Sequence, residues 1–230
     1  MENQIANIKD KLEQLRKLDK KYVIFGSPKH RYQLNPKISK QQIENFEIKY
    51  GIELPDGYAK FLMHLGNGGA GPFYGVETLE GSLFDDLDYK DPDTILNLSK
   101  PFPHSTAWNL NFDSVFDVNE NEAEYYLELE KFEEVYFATS LMDGSLAVCN
   151  LGCGINVHLI VNGNEYGNMW TDNRSGDYGI HPFDELGNKE RIGFLDWYEL
   201  WLDNSLEKIN TELSVQNASS NQPKPWWKIW

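Results

Sequence analysis

The sequence has little cysteine, few basic residues and no long apolar run. Only two of its 230 residues are cysteines, which argues against a disulfide-stabilised secreted scaffold. No apolar stretch approaches the roughly 20 residues that a membrane-spanning helix needs. The N-terminal segment is charged and periodic, and it lacks the apolar centre of a signal peptide. These absences predict a cytoplasmic protein that folds around a hydrophobic core.

Basic residues are scarce relative to acidic ones, and the imbalance is local. The chain has 21 Lys and Arg against 36 Asp and Glu, a formal net charge of −15. Residues 1–40 hold 10 basic and 4 acidic residues, whereas residues 80–134 hold 15 acidic and 3 basic ones. Such a field repels nucleic acid and anionic membranes and speeds association with a basic protein. For the 80–134 cluster, an equally good alternative is that the charge only keeps the protein soluble.

Apolar periodicity predicts helices at both ends of the chain and strands between them. Helices are expected over 2–20, 40–50, 55–65, 122–131 and 193–208. Ser39 and Gln42 form a capping-box pair, and Gly51 is placed to end the second helix. Strands are expected over 73–79, 134–139, 145–150, 155–162 and 166–172. Hairpin signals at Asp143-Gly144 and Asn162-Gly163 indicate a mainly antiparallel sheet and an α+β fold.

One motif imitates a dinucleotide-binding site. The segment from Gly66 to Gly71 matches G-x-G-x-x-G literally. That fingerprint requires a strand before it and a helix after it, so that the pyrophosphate meets a helix N-terminus. Here a predicted helix precedes the glycines and a predicted strand follows them. The glycines are therefore interpreted as a tight helix-to-strand turn, and no cofactor is expected.

Other catalytic or metal-binding patterns are weak. Cys149, Cys153 and His158 are spaced unlike a zinc site and lack a fourth ligand, so the cysteines are interpreted as small buried hydrophobes. There is no G-x-S-x-G or H-E-x-x-H motif. An enzyme that uses Cys149 or Asp172 ranks last among the hypotheses, and no catalytic, cofactor or metal residue is predicted.

Two aromatic segments stand out. The segment from Trp170 to Arg174 places an aromatic ring beside polar groups at a strand end, where it forms either a ligand site or a self-contained Asp/Arg turn network. The C-terminal tail concentrates Trp226, Trp227 and Trp230 after a polar segment. We expect the tail to dock against the chain itself or a partner rather than to insert stably into a membrane.

Several linked motifs resemble the SMI1/KNR4 (SUKH) family. The segment from Ile52 to Tyr58, followed by Phe61-Leu62, resembles the family's LPxxYxxFL signature. The similarity runs in order over about residues 25–205. Its further motifs are Tyr50-Gly51, Gly66–Gly75, Lys100–Pro103, Gly144–Gly154, Trp170–Gly179 and Phe194–Tyr198.

The resemblance implies an α+β fold with a mainly antiparallel, strongly curved mixed sheet packed with helices, and no known catalysis. It divides the chain into an N-terminal helix and lead segment packed on the domain (1–36), the SMI1/KNR4-like domain (37–213), and a flexible linker with the tryptophan-rich tail (214–230). Bacterial members are thought to act largely as immunity proteins against polymorphic toxins, many of them nucleases or deaminases. The alternative is a regulatory scaffold in cell-wall or envelope synthesis, as for fungal members.

Together these observations predict a non-catalytic protein that binds a basic toxin domain. The residues predicted to contact this partner are Asp85, Asp86, Asp88, Asp91, Glu120, Glu122, Glu124, Trp170, Asp172 and Arg174.

Overall fold

In the part of the chain that the structure describes, helices lie at both ends and four strands lie between them. The computed structural model describes residues 2–220, so the predicted tryptophan-rich tail lies outside the described residues. The α-helices of the described part are α1 Glu2–Leu18, α2 Ser27–His30, α3 Lys40–Tyr50, α4 Asp56–His64, α5 Glu122–Tyr136 and α6 Phe194–Ser220. Short 3₁₀ turns lie at Gly81–Leu83, Pro92–Thr94, Thr139–Met142 and Arg174–Gly176. No helix in residues 2–220 is both long and apolar enough to cross a bilayer.

The four strands form one open antiparallel sheet. They are β1 Ser145–Gly152, β2 Ile155–Ile160, β3 Met169–Asn173 and β4 Gly179–Pro182, in the order β1-β2-β3-β4. All three pairings are antiparallel, which confirms the α+β class. Cys153 and Gly154 form the two-residue loop between β1 and β2, and both have positive φ, as a type I′ hairpin requires.

The start and end of α3 follow the capping signals in the sequence. The Ser39 hydroxyl accepts from the Gln42 backbone N–H, and the Gln42 side chain accepts from the Ser39 N–H. Gly51 ends the helix at φ 66° and donates its N–H to the carbonyl of Glu47. This capping box satisfies backbone donors that have no partner inside the helix.

Aromatic side chains join α4 to α6 in the core. Phe61 packs against Phe194 and Tyr198 with ring centroids 5.1 Å apart in each pair, and all three residues are buried. Packed aromatic pairs of this kind stabilise a fold beyond the area that they bury. Helix α1 adds a further layer on α6, where Lys11 forms an ion pair with Glu199 at 2.8 Å.

The glycine-rich loop after α4 packs tightly against residues 33–35. The Ala70 N–H donates to the carbonyl of Gln33 at 2.7 Å, and the Tyr198 hydroxyl donates to the carbonyl of Ala70 at 2.7 Å. Gly68 and Gly69 have φ of 78° and 104°. No helix begins directly after this loop, so it has the role of a close-packed turn that its context predicts.

Two predicted strands are wrong. Residues 134–136 belong to α5 instead, because Phe132 and Tyr136 stack with centroids 5.1 Å apart on one helix face. Residues 73–79 form only isolated bridges, in which Val76 pairs with Gly69 and Cys149. Positive φ at Phe73 and Gly75 interrupts the extended backbone there.

One turn, one strand and one helix end also differ from the sequence-based predictions. Asp143-Gly144 is not a hairpin turn, because a 3₁₀ turn rather than a strand precedes it. Strand β4 was not predicted, because its four residues are too few to show a period. Helix α6 continues to Ser220 and so includes 214–220 of the predicted linker; the rest of that linker lies outside the described residues.

His30 makes the stability of the fold sensitive to acid. The imidazole Nδ1 accepts a hydrogen bond from the Tyr32 N–H at 3.0 Å, and protonating Nδ1 would break this bond. Burial lowers the pKa of His30 to about 4, against about 6.5 in an unfolded chain. Its contribution is therefore complete above pH 6.5 and is lost as the pH falls from 6.5 towards 4. We expect about 2–3 kcal/mol of His30-dependent loss between pH 7.5 and 4.5.

Urea unfolding of the His30→Asn variant at both pH values measures this loss. Asparagine keeps an acceptor near the Tyr32 N–H and does not titrate, so the variant should lose less stability in acid than the wild type. The control is His64→Asn at an exposed position, which should follow the wild type. Equal acid sensitivity of the wild type and His30→Asn would contradict the prediction.

Candidate functional site

Helix α5 presents a broad acidic surface. It has six glutamates and one lysine, and its half-buried face repeats at helical spacing through Tyr125, Leu129, Phe132 and Tyr136. Among the residues that the structure describes, none of the α5 glutamates belongs to an ion pair, and only Glu128 accepts a side-chain hydrogen bond, from Ser114. The remaining carboxylates are therefore available to an external cation.

Apolar side chains are exposed among these carboxylates. Tyr126 and Leu127 are 53% and 52% exposed, and Val135 and Phe137 are similarly open. An exposed apolar patch rimmed by charge is typical of a protein-binding surface. We call α5 together with Phe137 the acidic helix surface.

Loop residues hold α5 on the domain. Trp108 stacks on Tyr136 with centroids 5.6 Å apart, and Phe112 packs on Phe132 at 5.3 Å. The Tyr136 hydroxyl donates to Asn109 Oδ1 at 2.6 Å. The half-buried face of α5 is thus occupied by its own chain, so that its opposite face is the one open to a partner.

The predicted contact residues divide into two groups. Asp88, Asp91, Glu120, Glu122 and Glu124 are exposed, and Asp86 is half-buried. The aspartates among them also shape local turns: Asp86 accepts from the Asp88 N–H at 2.7 Å, and Asp91 accepts from the Asp93 N–H at 2.9 Å. The second group consists of Asp85, Trp170, Asp172 and Arg174, whose side chains lie inside the fold.

Arg174 is the centre of a buried network that links distant segments. Its Nε and one amino group donate to the two oxygens of Asp172 at 2.8 and 2.7 Å. The other amino group donates to the carbonyls of Tyr136 and Ala138, both at 3.1 Å. Asp85 accepts more weakly at 3.3 and 3.4 Å. Of the two alternatives for this segment, the geometry matches the Asp/Arg turn network, and buried Trp170, Asp172 and Arg174 are not available to a docking partner.

The charge of Arg174 does not offset the effect of burial on the Asp85 carboxylate. Burial raises the pKa of Asp85 to about 7, while the charge of Arg174 acts in the opposite direction. Arg174 lies closer to Asp172 than to Asp85, so the two carboxylates share one guanidinium unequally. A cavity of about 250 Å³ is lined by Asp85, Asp172 and Arg174 together with Asn156.

Ser145, His158 and Asp172 lie near one another in an arrangement that superficially resembles a hydrolase triad. Ser145 Oγ lies 2.9 Å from His158 Nδ1, and the same hydroxyl donates to the carbonyl of Met142 at 2.6 Å. Ser145 and His158 have no exposed surface. Burial lowers the pKa of His158 to about 4, so the ring is neutral near pH 7. A hydroxyl that is committed to a carbonyl and closed to solvent cannot attack a substrate.

The two cysteines differ in environment. Cys149 is buried and donates to the carbonyl of Pro72 at 3.2 Å. Burial raises the pKa of its thiol, which disfavours the nucleophilic thiolate. Cys153 is exposed in the hairpin loop, so its interpretation as a buried hydrophobe is wrong. In the sheet, Cys149 pairs with Val157 and His158 with Ala147, which places Cys149 and His158 on opposite faces.

Known proteins add no constraint on these sites. Comparison with protein-family models, curated proteins and solved structures found no match to this chain. The function is therefore inferred from the geometry and charge of its own residues.

Sequence reasoning missed His158 and Asn156 as members of one polar cluster with Asp172. Their signal is a period of two along paired strands: Asn156 lies opposite Asp172, and His158 lies opposite Trp170. Because side chains alternate between the faces of a strand, all four point to the same side of the sheet. The pattern becomes visible only once the register of β2 and β3 is known.

Proposed function

We propose that this chain is a cytoplasmic, non-catalytic binding protein of the SMI1/KNR4 type that neutralises a basic toxin domain by direct contact. The acidic helix surface carries the proposal. It combines a net charge of −5 over α5, from six Glu and one Lys, with exposed apolar side chains. A surface kept acidic only for solubility would not need to expose Tyr126, Leu127 and Phe137 within it.

Charge and apolar contact would have separate roles in the complex. Long-range attraction between this surface and a basic domain accelerates encounter and weakens with added salt. Burial of Tyr126 and Leu127 then supplies short-range stabilisation, since aromatic and aliphatic anchors dominate the energies of most interfaces. Nuclease domains bind phosphate with basic surfaces, and an acidic helix competes for those surfaces.

Reversing the charge at Glu130, Glu133 and Glu134 tests this role. All three are exposed and lie in the last two turns of α5, where lysine is favourable to the helix dipole. Against toxin domains encoded beside the gene, the lysine variant should associate about 10-fold more slowly or worse, with a weaker dependence on salt. Growth rescue in cells that co-express the toxin should fall in parallel.

A matched variant separates local charge from total charge. Glu53→Lys, Glu185→Lys and Glu190→Lys together change the net charge by the same amount at exposed positions outside α5. This control should retain rescue and fast association. Equal loss in both variants would show that binding depends on the total net charge and not on the charge of the acidic helix surface. Failure of the wild-type chain to rescue growth from any adjacent toxin would contradict the immunity role and favour the scaffold alternative.

A further inference from the structure

Three buried side chains, two of them on neighbouring strands, bring potential metal ligands together. One nitrogen or oxygen atom from each of Asp85, His158 and Asp172 lies within 4.8 Å of the other two. The residues come from distant parts of the chain: Asp85 precedes the sheet, His158 lies on β2 and Asp172 on β3. One imidazole with two carboxylates is a ligand set that borderline divalent ions such as Zn²⁺ accept.

The tautomer of His158 leaves a lone pair without a partner. Ser145 Oγ donates its only proton to the carbonyl of Met142 at 2.6 Å. His158 Nδ1, 2.9 Å from the same oxygen, must therefore be the donor in their hydrogen bond. The neutral ring then has its lone pair on Nε2, which is buried and has no hydrogen-bond partner among the described residues.

The strand register places Ser145 and Asp172 on either side of His158. Ser145 pairs with Ile160, which lies two positions after His158 on β2. Asp172 pairs two positions before His158, with Asn156. Ser145 and Asp172 thus flank the imidazole on opposite sides of one sheet face. With Nδ1 turned to Ser145, Nε2 faces the Asp172 side.

A second buried acceptor lies on the wall of the adjoining cavity. Asn156 Nδ2 donates to the carbonyl of Asp85 at 3.3 Å, which orients the amide, and Oδ1 has no partner among the described residues. Asn156 is only 2% exposed, and unsatisfied acceptors in such positions are costly. The cavity of about 250 Å³ is lined by Asn156, Asp85 and Asp172, so the two carboxylates border a space large enough for water.

The charges around the cluster leave room for a divalent ion. Asp172 holds Arg174 closely at 2.7 Å, whereas Asp85 holds it at 3.3 Å. Asp85 can therefore turn towards an ion, while Asp172 keeps the guanidinium and offers the ion a remaining lone pair of one oxygen. Two carboxylates and Arg174 have a formal charge of −1. A divalent ion changes the sum to +1, which neighbouring Asp86 brings to zero.

We propose that Asp85, His158 and Asp172 form a three-ligand binding site for a Zn²⁺-class divalent ion, with a fourth position open to the cavity. The ion uses the Nε2 lone pair and joins the acidic 85–91 segment to the sheet. The site adjoins the acidic helix surface, because Phe137 lines the same cavity, but it uses none of the α5 glutamates. The arrangement corresponds to an open zinc site rather than a closed structural one.

Calorimetric titration of Zn²⁺ into the full chain, after removal of metal by a chelator, tests the proposal. We expect one ion per chain and a rise in Tm when Zn²⁺ is added. Asp85→Asn should weaken binding by about 10-fold or more, because it removes a charged ligand. His158→Gln should abolish both the binding and the visible absorption of Co²⁺ bound in place of Zn²⁺.

The chain provides a matched control. His181, Asp184 and Glu185 form a second cluster of potential ligands, on a more exposed part of the surface. His181→Gln should leave the stoichiometry and affinity unchanged. If His181→Gln abolishes binding and Asp85→Asn does not, the ion binds the exposed cluster and the proposal is wrong. Absence of stoichiometric binding to the wild-type chain overturns it as well. If His158→Gln does not fold, Asp85→Asn decides the question, because Asp85 lies nearer the surface.

Discussion

Replacing Arg174 with methionine should lower the free energy of unfolding by about 3–5 kcal/mol, because it leaves buried charges without a partner. Asp172 would lose both of its short hydrogen bonds to the guanidinium, and Asp85 would lose its ion pair with the same group. The carbonyls of Tyr136 and Ala138 would lose their donor at the same time. Urea unfolding at neutral pH measures this change.

The same substitution should loosen the acidic helix surface. Arg174 binds the carbonyl at the last residue of α5, so limited proteolysis should cut the 109–138 region faster in the variant. Arg16→Met is the control: Arg16 is half-exposed and pairs with Glu13 within the same helix, and its loss should cost about 0.5 kcal/mol or less. A cost below about 1 kcal/mol for Arg174→Met would show that the network does not stabilise the fold.

Replacing Gly69 with alanine should destabilise the fold by about 3 kcal/mol or more. The backbone of Gly69 has φ 104°, and a Cβ there would lie 2.5 Å from the Gln33 carbonyl oxygen and 2.9 Å from the Asn35 nitrogen. Both neighbours are backbone atoms, so neither can move aside as a side chain could. The substitution forces apart the bridges that Gly69 makes with Leu34 and Val76.

Gly51→Ala separates the steric effect from the backbone conformation. Gly51 also has positive φ, 66°, but a Cβ there would meet nothing within 4 Å. We expect this control to cost about 1 kcal/mol, the penalty of the left-handed conformation alone. Equal losses of stability at Gly51 and Gly69 would show that close packing of the loop does not matter.

Local signals in the sequence predicted most of the helices and the three longer strands. The capping box at Ser39, the terminating glycine at 51 and the hairpin segment around Asn162 act within a few residues, so their effects are readable in order along the chain. The errors arose where distant packing decided the conformation. Residues 134–139 have strand-forming side chains, yet Tyr136 stacks on Trp108 and the helix continues.

The candidate site was likewise predictable only in part. The acidity of residues 80–134 is a property of composition, and the exposed glutamates of α5 follow from a helix with one apolar stripe. The interior position of Asp85, Trp170, Asp172 and Arg174 could not be predicted, because burial depends on what else covers a residue. Asp85 meets Arg174 across 89 positions of sequence, and no local pattern encodes that contact.

The sequence by itself determined the charge of this protein, the caps of α3 and the turn role of the glycine loop, since each depends on composition or neighbouring residues. Only the tertiary structure decided that Arg174 is a buried link between Asp172 and the end of α5, and that His158 lies close to two carboxylates. The physical reason is the register of β2 on β3. A shift of one residue would turn His158 and Asp172 to opposite faces, and the packing of the whole sheet specifies that register.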